Sequence, residues 1–247
     1  MNTTSTLRRE MFAATPATTL RVDTIDADVV VRHEVTDTAV VEVSAREEVD
    51  LAPVEISSSG ADISVRVPPL LVDGNGRRGL AIDLGFVSLA VGNARVRGLR
   101  VEVVLPEGAG IDLATKSGDV TVTGTSGGAV LRSGSGDLVA DRLTAGAQVR
   151  TGSGDVRVRE ASGTFVGGSG SGDLHVDRFD EGTITLRTGS GDIRVGVPRG
   201  VPVWQDVNTA SGDVVSQVEP VGQPGEGEAF ITVRATTASG DITLLDA

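Results

Sequence analysis

Seven aspartates in this chain close the same tripeptide, and regularly spaced carboxylates are what an oxygen-coordinated cation such as calcium needs. The tripeptides are Ser117-Gly118-Asp119, Ser135-Gly136-Asp137, Ser153-Gly154-Asp155, Ser171-Gly172-Asp173, Ser190-Gly191-Asp192, Ser211-Gly212-Asp213 and Ser239-Gly240-Asp241. Calcium-binding nonapeptide repeats place Gly-Gly-x-Gly before their Asp. Here the period is doubled, and in the closest stretch, Gly167 to Asp173, the Asp falls one place late. The file Asp119, Asp137, Asp155, Asp173, Asp192 is the calcium candidate, and a structural turn is the expected role of the tripeptide.

A second set of charged side chains sits around the same corner: Arg132, Arg150 and Arg187 before it, Arg157 and Arg194 after it. Guanidinium forks hold carboxylates bidentately, so this stripe could grip a carboxylate-rich partner or an anionic glycan. The plainer reading pairs them with Asp141, Asp177 and their neighbours on a solvated face. His33 and His175 fall at outward strand phases, with no Cys and no second His at zinc spacing. The sole lysine is Lys116, and no Gly-x-Ser-x-Gly, P-loop or dinucleotide fingerprint occurs in a strand-to-helix context. No catalytic residue, cofactor or metal site is therefore expected, and the chain reads as a non-enzyme. Trp204, near Pro198 and Pro202, is expected to plug an irregular rung.

The elements that must carry these residues follow from the phase around the Asp. The aspartates are spaced 18, 18, 18, 19, 21 and 28 residues apart. Four positions before each stands Thr115, Ser133, Thr151, Ser169, Thr188, Thr209 or Thr237, and directly after it Val120, Leu138, Val156, Leu174, Ile193, Val214 or Ile242. Apolar residues alternate on both sides, as in Ile111 and Leu113 before the corner or Val156 and Val158 after it, which is the period of β-strands joined by a tight turn. Gly before the Asp suits positive φ or close backbone approach. The inward Ser and Thr hydroxyls would each cost about 1–3 kcal/mol if buried unpaired, so they must bond within the corner or to a neighbouring rung.

These regularities predict an all-β chain, a single β-solenoid of roughly 18-residue rungs. The register extends to Leu20, Val22, Thr24, Asp26, Ala27, Asp28, Val29 and Val31, and again over Val54 to Val65 with a looser corner, giving about nine rungs. Residues 1–17 read as a disordered lead and 18–247 as the solenoid domain. Within it, 18–110 are irregular rungs with extra strands at 39–45 and 99–105 and a protruding hairpin at 72–98, and 111–247 are the regular rungs.

Composition limits the partners. Aromatic residues make up 2%, Cys is absent and the net charge is -12, which argues against nucleic acid or an anionic membrane surface as a general partner. No transmembrane span and no secretory h-region are visible, so a cytoplasmic location is expected. The Ser-Gly-Asp-apolar-x-apolar unit, preceded by Leu99 to Pro106 and Ile111 to Asp119, resembles the bacterial β-strand-repeat proteins grouped as adhesin-like, a domain of unknown function. That resemblance implies the solenoid fold and no catalytic residues. The expected function is a scaffold or interaction module binding a protein or cell-envelope component. One alternative is a structural protein forming homo-oligomers end to end through open solenoid ends, as bactofilins do, since the C-terminal rung Asp241 to Ala247 carries no obvious cover. Another is a cytosolic partner of an envelope-stress or transcription regulator.

Overall fold

The computed structural model describes residues 7–46, 49–69, 71–72, 80–83, 88–91, 94–95, 98–218 and 230–247. Every regular element among them is a β-strand, and nineteen strands form one sheet folded into two faces. The regular rung begins with a leading-face strand such as Ala129–Ser133, turns at Ser135-Gly136-Asp137 and continues as a trailing-face strand such as Leu138–Leu143. A second turn returns the chain to the leading face at Ala147–Thr151. Parallel pairing then stacks equivalent residues: Ala129 on Ala147 on Phe165 on Ile184, and Leu138 on Val156 on Leu174 on Ile193.

The inward alternation fills a narrow interior with Val, Leu and Ile, nearly all fully buried. Two aromatic rings, Phe165 and Phe179, share that space without exposure. Gly167 compensates for them, because a Cβ there would meet Leu186 Cδ2 at 2.6 Å and the Phe165 ring at 3.0 Å. The second turn is built differently from the Asp corner. Gly124, Gly146, Gly163 and Gly182 adopt positive φ there, and Ser126, Thr144 and Ser162 hydroxyls donate to the carbonyls of Ala109, Ser126 and Thr144.

At the N-terminal end the strands Thr19–Thr24 and Ala27–Glu34 form a true rung, stacked on Gly110–Thr115 and Val120–Ser126. Beyond it the two faces diverge. On the trailing face Ala27–Glu34 pairs with Leu99–Pro106, which runs antiparallel to Thr38–Ala45, which in turn runs antiparallel to Leu7–Ala13. Residues 7–13 were expected in a disordered lead. They instead extend the sheet, with Phe12 packed against the core. On the leading face Asp62–Val67 pairs with Thr19–Thr24.

The second N-terminal rung expected over Val54 to Val65 is not a rung. Glu55–Ser59 and Asp62–Val67 are an antiparallel hairpin turning at Gly60, φ 61°. The turn sends Asp62–Val67 back along Glu55–Ser59 and onto Thr19–Thr24 of the leading face, and Ser57, Ser58 and Ser59 stay exposed. The excursion 72–98 contains backbone pairings of Leu80–Asp83 with Ser88–Val91 and of Leu71–Val72 with Ala94–Arg95, both antiparallel.

The C-terminal end departs from chain order. Ile231–Ser239 pairs on one side with residues 182–190 and on the other with Val203–Ser211. Ile242–Asp246 likewise lies between Ile193–Val197 and Val214–Ser216. The last rung in sequence is therefore the penultimate rung in the stack, and it is covered, contrary to the open C-terminal edge expected. The inward positions supply the reason. The inserted rung points Ile231, Val233, Ala235, Ile242 and Leu244 inward, all buried. At matching positions the terminal rung has Gln205 opposite Val233 and Ser216 opposite Leu244, so the more polar rung occupies the end, as capping repeats do. Gln205 Nε2 and Ser216 Oγ both donate to the Val218 carbonyl, at 3.2 and 3.1 Å, and Val218 folds over the end.

Candidate functional site

The Asp corner is a continuous hydrogen-bonded file. In stacking order it contains Asp28, Asp119, Asp137, Asp155, Asp173, Asp192, Asp241 and Asp213, and each Asp N–H donates to Oδ1 of the preceding carboxylate, at 2.8–3.2 Å. A second file lies just inside it. Thr151 Oγ1 accepts from the Gly154 N–H at 3.1 Å and donates to the Gly136 carbonyl of the rung below at 3.0 Å. Thr115, Ser133 and Ser169 do the same on their rungs. Thr188, Thr237 and Thr209 donate to Gly172, Gly191 and Gly240.

Stacking also explains the corner glycine. A Cβ at Gly118, Gly136, Gly154, Gly172, Gly191, Gly240 or Gly212 would come within 3.0 Å of the carbonyl oxygen of the equivalent residue on the neighbouring rung. Close approach is the common requirement, and only Gly212 and Gly240 add a positive φ, 149° and 147°. In this file Oδ1 of each calcium candidate Asp119, Asp137, Asp155, Asp173 and Asp192 already accepts a backbone N–H. Among the described residues no group of three or more His, Cys, Asp or Glu is placed to hold a metal ion.

The arginines divide between the faces. Arg132, Arg150 and Arg187 lie in one outward row of the leading face, in the order Arg132, Arg150, Gly168, Arg187, Thr236. Arg157 and Arg194 lie on the trailing face with His175 between them. Arg132 pairs with Asp112 at 3.0 Å and Arg157 with Asp177 at 3.5 Å. Exposed Arg150, Arg187 and Arg194 form no ion pair with another described residue. Desolvation, helped by Arg194, pushes the His175 imidazole below its ordinary value.

His33 is not outward as expected: it continues the inward alternation of Ala27, Val29 and Val31 and pairs with buried Leu105. It is 5% exposed, with Nε2 3.2 Å from the Ala109 carbonyl and Nδ1 lacking a partner among the described residues. The second turn folds over it, as the proximity of Gly124 shows. Burial pushes its pKa down, against the Ala109 and Thr123 backbone and Glu107, which raise it.

Two residues outside the expected stripe join the leading face. Trp204, expected as a plug, is outward and half-buried in register with Thr232, and the Arg234 guanidinium lies 5.4 Å from its ring centroid. Arg234 stands beside Thr185 on the rung that carries Arg187. The leading face therefore carries Arg150, Arg187, Arg234 and Trp204 on successive parts of one surface, with Arg234 on the rung beside that of Arg187. Sequence reasoning missed Arg234 because chain order does not place its rung between those of Arg187 and Trp204.

A parallel two-faced β-solenoid with a Ser-Gly-Asp corner is the class these features define. The family model described as Toastrack DUF4097 matches residues 47–245, and the chain belongs to that family. No curated protein matches the chain by sequence. Among solved structures it is similar to a "putative adhesin" from Bacteroides fragilis NCTC 9343, with 14% identity, 97% of each chain covered and a TM-score of 0.51. Two further likenesses are a "putative cell adhesion protein" from Clostridium sporogenes (15% identity, 98% of this chain and 100% of that one, TM-score 0.39) and a "putative lipid binding protein" from Parabacteroides distasonis (13%, 97% and 96%, TM-score 0.46). The cytoplasmic location expected from the sequence is not supported: the B. fragilis protein that shares this fold is described as a "putative adhesin". No helix among the described residues is long and apolar enough to cross a membrane.

Proposed function

We propose that this chain is a non-enzymatic, adhesin-like interaction module at the cell surface, and that its leading face binds a carboxylate-bearing polysaccharide of a cell envelope. The observation that carries this is the grouping of exposed Arg150, Arg187 and Arg234 with Trp204 on one face of a chain of net charge -12. Arg150 and Arg187 flank Gly168, whose lack of a side chain leaves a notch between two guanidinium forks. A carboxylate fits that notch bidentately. The surrounding Gln148, Thr185 and Thr236 supply neutral hydrogen-bonding groups for sugar hydroxyls, and Trp204 offers an aromatic ring for the C–H face of a sugar.

Binding to immobilised polygalacturonate, with a neutral glucan as comparison, tests this reading. The unmodified chain is expected to be retained by the acidic polymer and to be released as ionic strength rises. The Arg150→Ala/Arg187→Ala variant is expected to lose about 10-fold or more in affinity, the loss of two charge-assisted contacts. Equal retention of the neutral polymer, or unchanged affinity in the double variant, overturns the assignment.

A further inference from the structure

We infer that the rung 231–246 is exchangeable between copies of this chain, so that one copy fills the slot of another and the protein associates by rung exchange. The slot lies between the rung of residues 182–197 and the terminal rung 203–216. Its occupant is held by corner contacts on both sides. Thr237 Oγ1 donates to the Gly191 carbonyl at 3.1 Å and Asp241 N–H to Asp192 Oδ1 at 2.8 Å. On the other side Thr209 Oγ1 donates to the Gly240 carbonyl at 2.9 Å and Asp213 N–H to Asp241 Oδ1 at 2.8 Å. None of these contacts depends on which chain supplies the rung.

Chain order makes the exchange accessible. Residues 203–216 precede the inserted rung, so the slot is bounded on both sides by segments that exist before its occupant does. An empty slot would leave Ile184, Leu186, Ile193 and Val195 without the neighbours that bury them, so it is filled by whichever copy of 231–246 arrives. The connection from Ser216 to Ile231 comprises residues 217–230. Extended, it reaches roughly 45 Å at about 3.3 Å per residue. Two copies abutting by their terminal rungs hold their slots about three rung spacings apart, roughly 14 Å at 4.8 Å each. The connection therefore reaches, and the exchanged form repeats every contact of the closed one, which leaves chain concentration to set the balance.

The absence of cysteine permits a direct test. Thr243 and Val215 are register partners across the boundary between the inserted and terminal rungs, on the trailing face, where they continue the row of Arg194, and away from the leading-face arginines. A Thr243→Cys chain and a Val215→Cys chain are unfolded, mixed, refolded together across a concentration series and oxidised. Exchange is expected to yield a disulfide-linked species of twice the 25.2 kDa chain mass, containing one chain of each variant and rising several-fold across the series. The Thr243→Cys/Val215→Cys double variant reports closure within one chain at low concentration. Internal closure of the double variant with no mixed species at any concentration overturns the inference. So does light scattering that finds the unmodified chain strictly monomeric after refolding across the same series, whatever the cysteine variants do.

Discussion

At the scale of single residues the Asp corner works because three side-chain properties coincide: a carboxylate that accepts an amide across the rung boundary, a hydroxyl that accepts and donates, and a glycine with no Cβ. Gly154→Ala would force a methyl within 3.0 Å of the Gly136 carbonyl, a backbone group that cannot swing aside. A destabilisation of about 3 kcal/mol is expected in urea unfolding, the upper range for overpacking. Thr151→Val keeps shape but orphans the Gly154 N–H and the Gly136 carbonyl, costing about 2 kcal/mol or more, whereas Thr151→Ser keeps both bonds and most of the stability. His33 adds a pH term. Its folded pKa lies below the ordinary 6.5, so the unfolded chain binds the proton more readily. Its contribution is whole above about pH 6.5 and declines as pH falls below that value. Thermal melts from pH 7.5 to 5 should show a shallower fall for His33→Gln than for the unmodified chain, and identical slopes would discount the histidine.

At the scale of strands and rungs, polarity of the inward face decides stacking order. Gln205 and Ser216 suit the terminal position, so the chain skips a place and returns to fill it. Hydrogen exchange read by mass spectrometry should find amides of 231–246 protected more strongly than those of 203–216, the reverse of fraying from a chain end. Fast exchange throughout 231–246 would contradict the inserted order. The strand phases were legible in the sequence because Thr or Ser, Gly and Asp recur in a fixed frame, and Asp26-Ala27-Asp28 could be found once the frame replaced the tripeptide. The order of the last two rungs was not legible, because both carry the same corner and their inward faces differ in polarity only at Gln205 and Ser216. The hairpin at 55–67 was obscured by an alternation that hairpins and rungs share. The second turn was hidden because its glycines and hydroxyls follow no constant spacing, whereas the burial of His33 was legible, since it stands two places after inward Val31.

At the scale of the whole molecule an acidic chain presents one face where arginines collect. Long-range repulsion from a net charge of -12 would slow an anionic polymer's approach at low salt, while contact at Arg150 and Arg187 is short-ranged. An Arg234→Ala variant should therefore weaken polygalacturonate binding less than the Arg150→Ala/Arg187→Ala variant, since its guanidinium is engaged over Trp204. An equal or larger loss would move the centre of the site towards the terminal rung. The amide-to-carboxylate file has a further consequence, for how such proteins change length. Each rung presents an acceptor to the next and a donor to the last, so the junctions between regular rungs are interchangeable. Duplicating or deleting an in-frame segment such as 138–155 would lengthen or shorten the stack by one unit while both specialised ends stay intact. Tandem duplication at the gene level thus has an outlet in this fold that needs no compensating change elsewhere.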